Sequence, residues 1–117
     1  MNIEELYSHC LNLKGATEDF PFDNETLVFR VASKIFVLAD ITDFKSVNLK
    51  CEPEKAIELR ERFSAIQPGY HMNKKHWNTI FLFQDVDDKL LYQLIDHSYE
   101  LVYNSLPKKI RDEIALG

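Results

Sequence analysis

The chain is poor in the residues that build turns, flexible loops and cross-links. Its 117 residues include three Gly, four Pro and two Cys, at positions 10 and 51. So little Gly argues against the loops that cradle phosphates, and neither G-x-G-x-x-G nor G-x-x-x-x-G-K occurs. The two Cys have no paired spacing, which argues against a zinc ribbon or a disulfide scaffold and predicts buried free thiols.

Long apolar runs are also missing. No stretch approaches the ~18 apolar residues of a membrane span. The opening MNIEELYSHC lacks the basic start of a secretory signal. We therefore expect a cytoplasmic protein without membrane contact. The length of 117 residues fits a single domain over residues 1–117.

The charge balance is acidic, with 14 Lys and Arg against 19 Asp and Glu and a net charge of −5. This balance disfavours a protein that coats nucleic acid non-specifically, because such binding depends on neutralising phosphates. An acidic body can nevertheless carry a local basic face.

Residues 68–78, PGYHMNKKHWN, form a local reversal of this charge. They bring two His, two Lys, two Asn, a Tyr and the only Trp into eleven residues. Basic side chains among aromatic ones are suited to neutralising phosphates and stacking on bases. The same composition also suits a structural turn, with Asn in left-handed backbone and Trp anchored in the core. Contact with another ligand or with a protein partner is a further alternative.

Apolar periodicity predicts helices over about 3–13, 53–63, 86–104 and 108–116. Strands are predicted at 26–32, 35–41, 45–51 and 77–83, with a hairpin turn at Ser33-Lys34 and a short extra strand near 70–72. Residues 17–24 are predicted to form a loop because of Pro21 and Asp23-Asn24. The order α-β(3)-α-β(1-2)-α-α predicts an α+β fold with an antiparallel sheet.

No pattern predicts catalysis, a cofactor or a metal site. His71 and His76 are five residues apart, which suits neither one face of a helix nor one face of a strand. Neither H-E-x-x-H nor G-x-S-x-G occurs. We therefore expect a protein that is not an enzyme. His97 lies in an apolar helical stripe, and we expect it to donate a ring N–H inside the core or to fix residues 68–78.

The segments that carry a family resemblance are the run at 68–78, LIDHSYELV at 94–102, LPKKIR at 106–111, ATEDFPF at 16–22 and NLKCEPE at 48–54. Through these segments the chain resembles the bacterial MmcQ/YjbR family over essentially its whole length. Ser33 departs from the Gly expected in relatives. The resemblance implies a sheet between helices, as in secretion-chaperone and frataxin-like folds. Members are described as DNA-binding on a double-wing analogy and occur alone or fused to transcription regulators. That description rests on fold analogy, and no catalytic residues are implied.

DNA binding through a local basic face is the leading hypothesis, with lysines on phosphates and Asn or Trp side chains on bases or sugar. The candidate residues are Lys50, His71, Asn73, Lys74, Lys75, His76, Trp77, Asn78, Lys108, Lys109 and Arg111.

Two other classes of function are kept open. The first alternative is a chaperone-like module that contacts a protein partner through the line of Tyr92, Tyr99 and Tyr103 or through the sheet. The second is a small-ligand binder, with a cleft converging on His71, His76 and Glu18 or Asp19.

Overall fold

Within residues 1–69 and 72–117, the part of the chain that the computed structural model describes, there are four helices and six strands. In chain order they are α1 (Ile3–Leu11), β1 (Ala16–Asp19), β2 (Thr26–Val31), β3 (Lys34–Asp40), β4 (Ser46–Lys50), α2 (Pro53–Arg62), β5 (Ile66–Pro68), β6 (Trp77–Phe81), α3 (Asp88–Ser105) and α4 (Lys108–Leu116).

Local signals in the sequence explain where the helices begin. The Asn2 side chain accepts the Glu5 N–H, and the Glu5 carboxylate accepts the Asn2 N–H, so the two residues form a capping box at the start of α1. Pro53 occupies the first turn of α2. The Asp87 side chain accepts the Leu90 N–H, and this cap starts α3 two residues later than predicted.

All neighbouring strands pair antiparallel, in the order β1-β2-β3-β4-β6-β5. Pairing of Val31 with Lys34 leaves Ala32 and Ser33 as the β2–β3 turn. This turn lies one residue before the predicted Ser33-Lys34 turn. The strained position is Ala32, whose φ is +54°.

Two strands differ from the predictions. Residues 16–19 form β1, although residues from 17 onwards were predicted to be a loop. Thr17 pairs with Arg30 and Asp19 with Val28, so Pro21 ends this strand rather than preventing it. The strand beside β6 is β5. The extra strand predicted near 70–72 falls largely on Tyr70 and His71, which lie outside the described residues.

All four helices pack on one face of the sheet. Buried side chains of α1, α2 and α3 join one core with the inward residues of the strands, and Ile110 and Ile114 of α4 pack against it. On the other face, the buried apolar cluster found among described residues consists of Val28, Leu38 and Trp77. The α+β fold with an antiparallel sheet is confirmed. Within the described residues the helices lie on one side of this sheet, whereas the resemblance implied a sheet between helices.

Along β4 the second face of the sheet is polar. Ser46, Asn48 and Lys50 of β4 are half-buried there, while Val47 and Leu49 are buried in the core. This alternation is typical of a strand with one face packed on the core and the other directed away from it. We call this side of the sheet the open face.

The buried groups of the core find partners or stay neutral. The hydroxyl of Ser98 in α3 donates to the Phe36 carbonyl at 2.6 Å and accepts the Lys50 N–H at 2.9 Å. Cys10 and Cys51 are buried free thiols, as predicted, and burial raises the pKa of Cys10 to about 12. None of the helices in the described part of the chain has the length and apolarity needed to cross a bilayer.

Candidate nucleic-acid interface

The sheet separates acidic from basic side chains. Its antiparallel pairing puts the connections 20–25, 41–45 and 82–87 at one end and 12–15, 32–33, 51–52 and 69–76 at the other. The first set contains one base, Lys45, among the acids Asp23, Glu25, Asp43, Asp85 and Asp87. The second contains one acid, Glu52, and the bases Lys14, Lys74 and Lys75.

The strand termini strengthen this contrast. Asp40 ends β3 at the first end of the sheet, which we call the acidic end. Lys34 begins β3 and Lys50 ends β4 at the other, which we call the basic end. Among described residues, no carboxylate forms an ion pair with Lys34, Lys50, Lys74 or Lys75.

The described part of segment 68–78 is a folded hairpin connection between β5 and β6. The Gly69 N–H donates to the Trp77 carbonyl at 2.8 Å, and the Trp77 N–H donates to the Asn73 carbonyl at 2.9 Å. The Asn73 side chain accepts the Lys75 N–H at 2.9 Å, so it shapes the turn. Lys74 and Lys75 are exposed, whereas His76 is half-buried.

Gly69 is required here because a Cβ at this position would lie 2.9 Å from the Cβ of Trp77. Trp77 is 9% exposed and packs with Val28 and Leu38 on the open face, and Met72 packs against the same cluster. The indole therefore anchors the connection to the sheet. This matches the structural alternative weighed for segment 68–78 rather than base stacking.

Arg60 of α2 holds the connection from the helical side. Its Nε donates to Oδ1 of Asn78 at 2.7 Å, and its guanidinium also donates to the Lys74 carbonyl. Asn78 is 2% exposed, so its side chain supports the connection rather than facing a nucleic acid. Arg60 is not among the site residues predicted from the sequence, although its place on the apolar stripe of α2 between Ala56 and Phe63 was a signal of partial burial.

The basic residues of α4 lie in the helical layer beside β1, away from Lys74. The Lys14 ammonium donates to the Ala115 carbonyl at 2.7 Å, which fixes α4 there. Lys108 forms an ion pair with Asp112 at 2.9 Å, and the Nε of Arg111 donates to the Leu106 carbonyl. Lys109 is exposed. The basic end thus holds two groups of cations, one beside β1 and one beside β4 and β6.

The remaining candidates do not converge. His71 lies outside the described residues. Glu18 and Asp19 belong to β1, and three strands separate β1 from β6 and His76, so Glu18 and Asp19 do not share a cleft with His76. No group of His, Cys, Asp and Glu within residues 1–69 and 72–117 is arranged to hold a metal ion.

His97 accepts a hydrogen bond, whereas the prediction was that it would donate one. Its Nε2 accepts the Glu52 N–H at 3.4 Å rather than donating a proton to a carbonyl. Burial lowers the pKa of His97, and the nearby charge of Lys55 acts in the same direction. A neutral ring protonated on Nδ1 fits this contact.

The tyrosine line of α3 packs inward. The ring of Tyr99 lies 5.3 Å from that of Phe36 and 5.9 Å from that of Tyr103. The hydroxyls of Tyr99 and Tyr103 donate to the carbonyls of Lys14 and Arg111. These two rings therefore join α3 to the core and to α4, which leaves little of the line for a partner.

Comparison with known proteins agrees with this architecture. Residues 11–101 match the family model described as YjbR. The chain is 33% identical to the protein YjbR of Escherichia coli strain K12 over 112 residues, 95% of each chain. It is 35% identical to YbdF of Escherichia coli O157:H7 over 99 residues, which are 84% of this chain and 81% of that protein.

Solved structures show the same fold. The crystal structure of Deinococcus radiodurans protein DR2400, with a DUF419 domain, superposes with a TM-score of 0.91 at 43% identity, covering 99% of this chain and 89% of that one. A crystal structure of a Pseudomonas syringae protein superposes with a TM-score of 0.73 at 28% identity, covering 87% of this chain and 99% of that one. The resemblance seen in the sequence is thereby confirmed, and the chain belongs to the YjbR family.

Proposed function

We propose that this protein binds DNA in the cytoplasm, without catalytic activity, through the basic end of its sheet. The observation that supports the proposal most strongly is the separation of charge along the strands. It gives a protein of net charge −5 one end at which lysines outnumber acids. The exposed members of this group are Lys14, Lys34, Lys74 and Lys75, with Lys50 half-buried beside them. Helix α4 adds the exposed Lys109 together with the exposed acids Asp112 and Glu113.

The geometry suits the DNA backbone. Neighbouring strands lie about 4.8 Å apart, so Lys50 on β4 and the lysines before β6 form a short row at the end of the sheet. The Lys34 ammonium lies on the helical side of this end, 3.5 Å from the Ser105 hydroxyl of α3. Duplex DNA carries one charge per ~1.7 Å of its axis, so such a row can neutralise several phosphates. The carboxylates at the opposite end would orient the protein during approach.

Binding of this kind depends little on the base sequence of the DNA. Trp77 and Asn78 are buried, and the Asn73 side chain is engaged by the Lys75 N–H, so few groups remain to contact base edges. We therefore expect weak binding governed by phosphates, with a Kd of about 10⁻⁴ to 10⁻⁶ M.

Fluorescence anisotropy with a labelled duplex tests this proposal. Neutralising about four phosphates predicts roughly a hundredfold loss of affinity between about 50 and 200 mM salt. Lys74→Glu/Lys75→Glu should bind about tenfold or more weakly at the lower salt concentration and show a shallower salt dependence.

The matched control is Lys45→Glu/Lys89→Glu, which changes net charge equally but lies away from the basic end. Its affinity should stay within about threefold of wild type, since exposed charges farther than a Debye length of ~10 Å are largely screened. Unchanged DNA affinity of Lys74→Glu/Lys75→Glu would show that the basic end is not the DNA-binding surface. Absence of salt-sensitive binding by wild type would reject the class of function.

A protein-interaction module is the second candidate, and Phe83 favours it. This residue is 78% exposed and has a φ of +60°, an unfavourable conformation for a bulky side chain. Strain combined with exposure is a feature of functional positions. If wild type does not bind DNA, Phe83→Ser is the variant with which to test a candidate partner.

A further inference from the structure

The open face of the sheet carries a cleft of about 590 Å³. Its lining includes Phe22, Asp23, Leu38, Asp40, Asn48 and Met72, and we call it the open-face cleft. Its volume lies within the roughly 300–1,000 Å³ of small-molecule sites. Met72 belongs to the connection at the basic end, but none of the lysines proposed to contact DNA lines the cleft. An account of the cleft is therefore independent of those lysines.

One part of the cleft is apolar. Leu38 belongs to the small buried cluster of the open face, and Ile35 and Met72 pack against that cluster. Phe22 is 67% exposed in the connection before β2. This residue is not among the site residues predicted from the sequence. A bound apolar group would remove these side chains from water at a gain of about 25 cal/mol per Å².

The other part is anionic. Asp23 accepts hydrogen bonds from the N–H groups of Glu25 and Thr26, and these bonds lower the pKa of its carboxyl group. Asp40 accepts the Thr42 N–H at 2.8 Å. Neither carboxylate has an ion-pair partner among the described residues. Both therefore present negative charge beside an apolar surface.

We propose that the open-face cleft binds a small organic cation, a primary amine or a guanidinium attached to an aromatic or branched alkyl group. The cationic head would lie at Asp23 and Asp40, where charge-assisted hydrogen bonds are available. The apolar group would lie against Leu38, Met72 and Phe22. A carboxylate of the same shape is disfavoured because it would meet two like charges.

NMR titration of the ¹⁵N-labelled protein near neutral pH tests the proposal with three probes of matched shape: 2-phenylethylamine, 2-phenylethanol and 3-phenylpropionate. The amine should shift the amide signals of Thr26, Asp40 and Asn48, with a Kd on the order of 1–10 mM for a ligand of this size. The alcohol should bind more weakly, and the carboxylate weakest of all.

Single-charge variants then locate the head group. Asp23→Asn and Asp40→Asn each keep an oxygen acceptor for the local backbone but remove the charge, and each should weaken amine binding roughly threefold or more. Asp43→Asn is the matched control, since Asp43 lies in the same acidic end without lining the cleft. Its affinity should match wild type. The dispersion of the same spectra shows whether each variant is folded. If one of the two variants misfolds, the other still tests the proposal.

Two results would overturn the proposal. One is the absence of shifts at the cleft residues up to about 20 mM amine. The other is equal binding of the amine and the carboxylate. Lys74→Glu/Lys75→Glu should leave amine binding unchanged, so failure of the DNA proposal and failure of this one can be told apart.

Discussion

Arg60 and Asn78 join helix α2 to the sheet through a hydrogen bond of 2.7 Å from Nε to Oδ1. The acceptor is nearly inaccessible, at 2% exposure. The same guanidinium also binds the carbonyl of Lys74. One side chain of the helical layer therefore fixes the position of the connection that presents Lys74 and Lys75 to solvent.

We expect Asn78→Ala to lower the free energy of unfolding by about 1–3 kcal/mol. The substitution removes a buried amide and leaves the half-buried guanidinium of Arg60 without one of its acceptors. Urea unfolding followed by circular dichroism measures the change. Asn104→Ala, at an exposed position of α3, is the control and should stay within about 0.5 kcal/mol of wild type.

Measuring DNA affinity distinguishes this structural role of Asn78 from a role in contacting bases. At a temperature where Asn78→Ala is folded, its affinity for duplex DNA should fall much less than that of Lys74→Glu/Lys75→Glu. A variant with unchanged stability and a selective loss of DNA affinity would instead assign Asn78 to the interface.

Periodicity predicted the elements that bury a face, because α1, α3, β2, β3 and β4 each have an apolar side against the core. It missed β1 because Thr17, Glu18 and Asp19 are exposed. An edge strand with exposed side chains is specified by backbone pairing with β2, which leaves no apolar alternation in the sequence.

The candidate site was only partly predictable for a related reason. The local composition was enough to identify Lys74 and Lys75, because exposed lysines do not depend on particular neighbours in the fold. It could not decide the roles of Trp77 and Asn78, because their burial depends on pairing with β4 and on Arg60, eighteen positions from Asn78 in the sequence. The open-face cleft likewise combines residues from distant segments that share no motif.

Ala32 offers a test of backbone strain in the β2–β3 turn. We expect Ala32→Gly to raise the free energy of unfolding by up to about 1 kcal/mol. It relieves a left-handed conformation that costs an L-residue about 1–2 kcal/mol, partly offset by the greater freedom of Gly in the unfolded chain. Urea unfolding again measures the difference.

Ser33→Gly is the natural control, since the family resemblance implies Gly at position 33 whereas positive φ occurs at Ala32. This variant has no strain to relieve and should lower stability by about 0.5–1 kcal/mol. Equal effects of the two substitutions would show that the turn is not strained at Ala32.

Asp85 should make the stability of the protein depend on acidic pH. Its carboxylate accepts the N–H groups of Ala65 and Ser64 and the Ser64 hydroxyl, which links the connection after β6 to the start of β5. These bonds, above all that from Ala65, lower the pKa of Asp85 below its ordinary value of 3.8. The unfolded state therefore takes up a proton at a higher pH than the folded state does.

It follows that the stabilisation by Asp85 is fully present above about pH 4 and is lost as the pH falls through the lower folded-state pKa. Asp85→Asn should be less stable than wild type near neutral pH, and the difference in urea midpoint should shrink as the pH drops below about 4. Asp43→Asn, which removes only a 3.9 Å ion pair with Lys45, should differ little from wild type throughout this range. A difference for Asp85→Asn that stays constant with pH would mean that the ionised carboxylate is not what holds this connection.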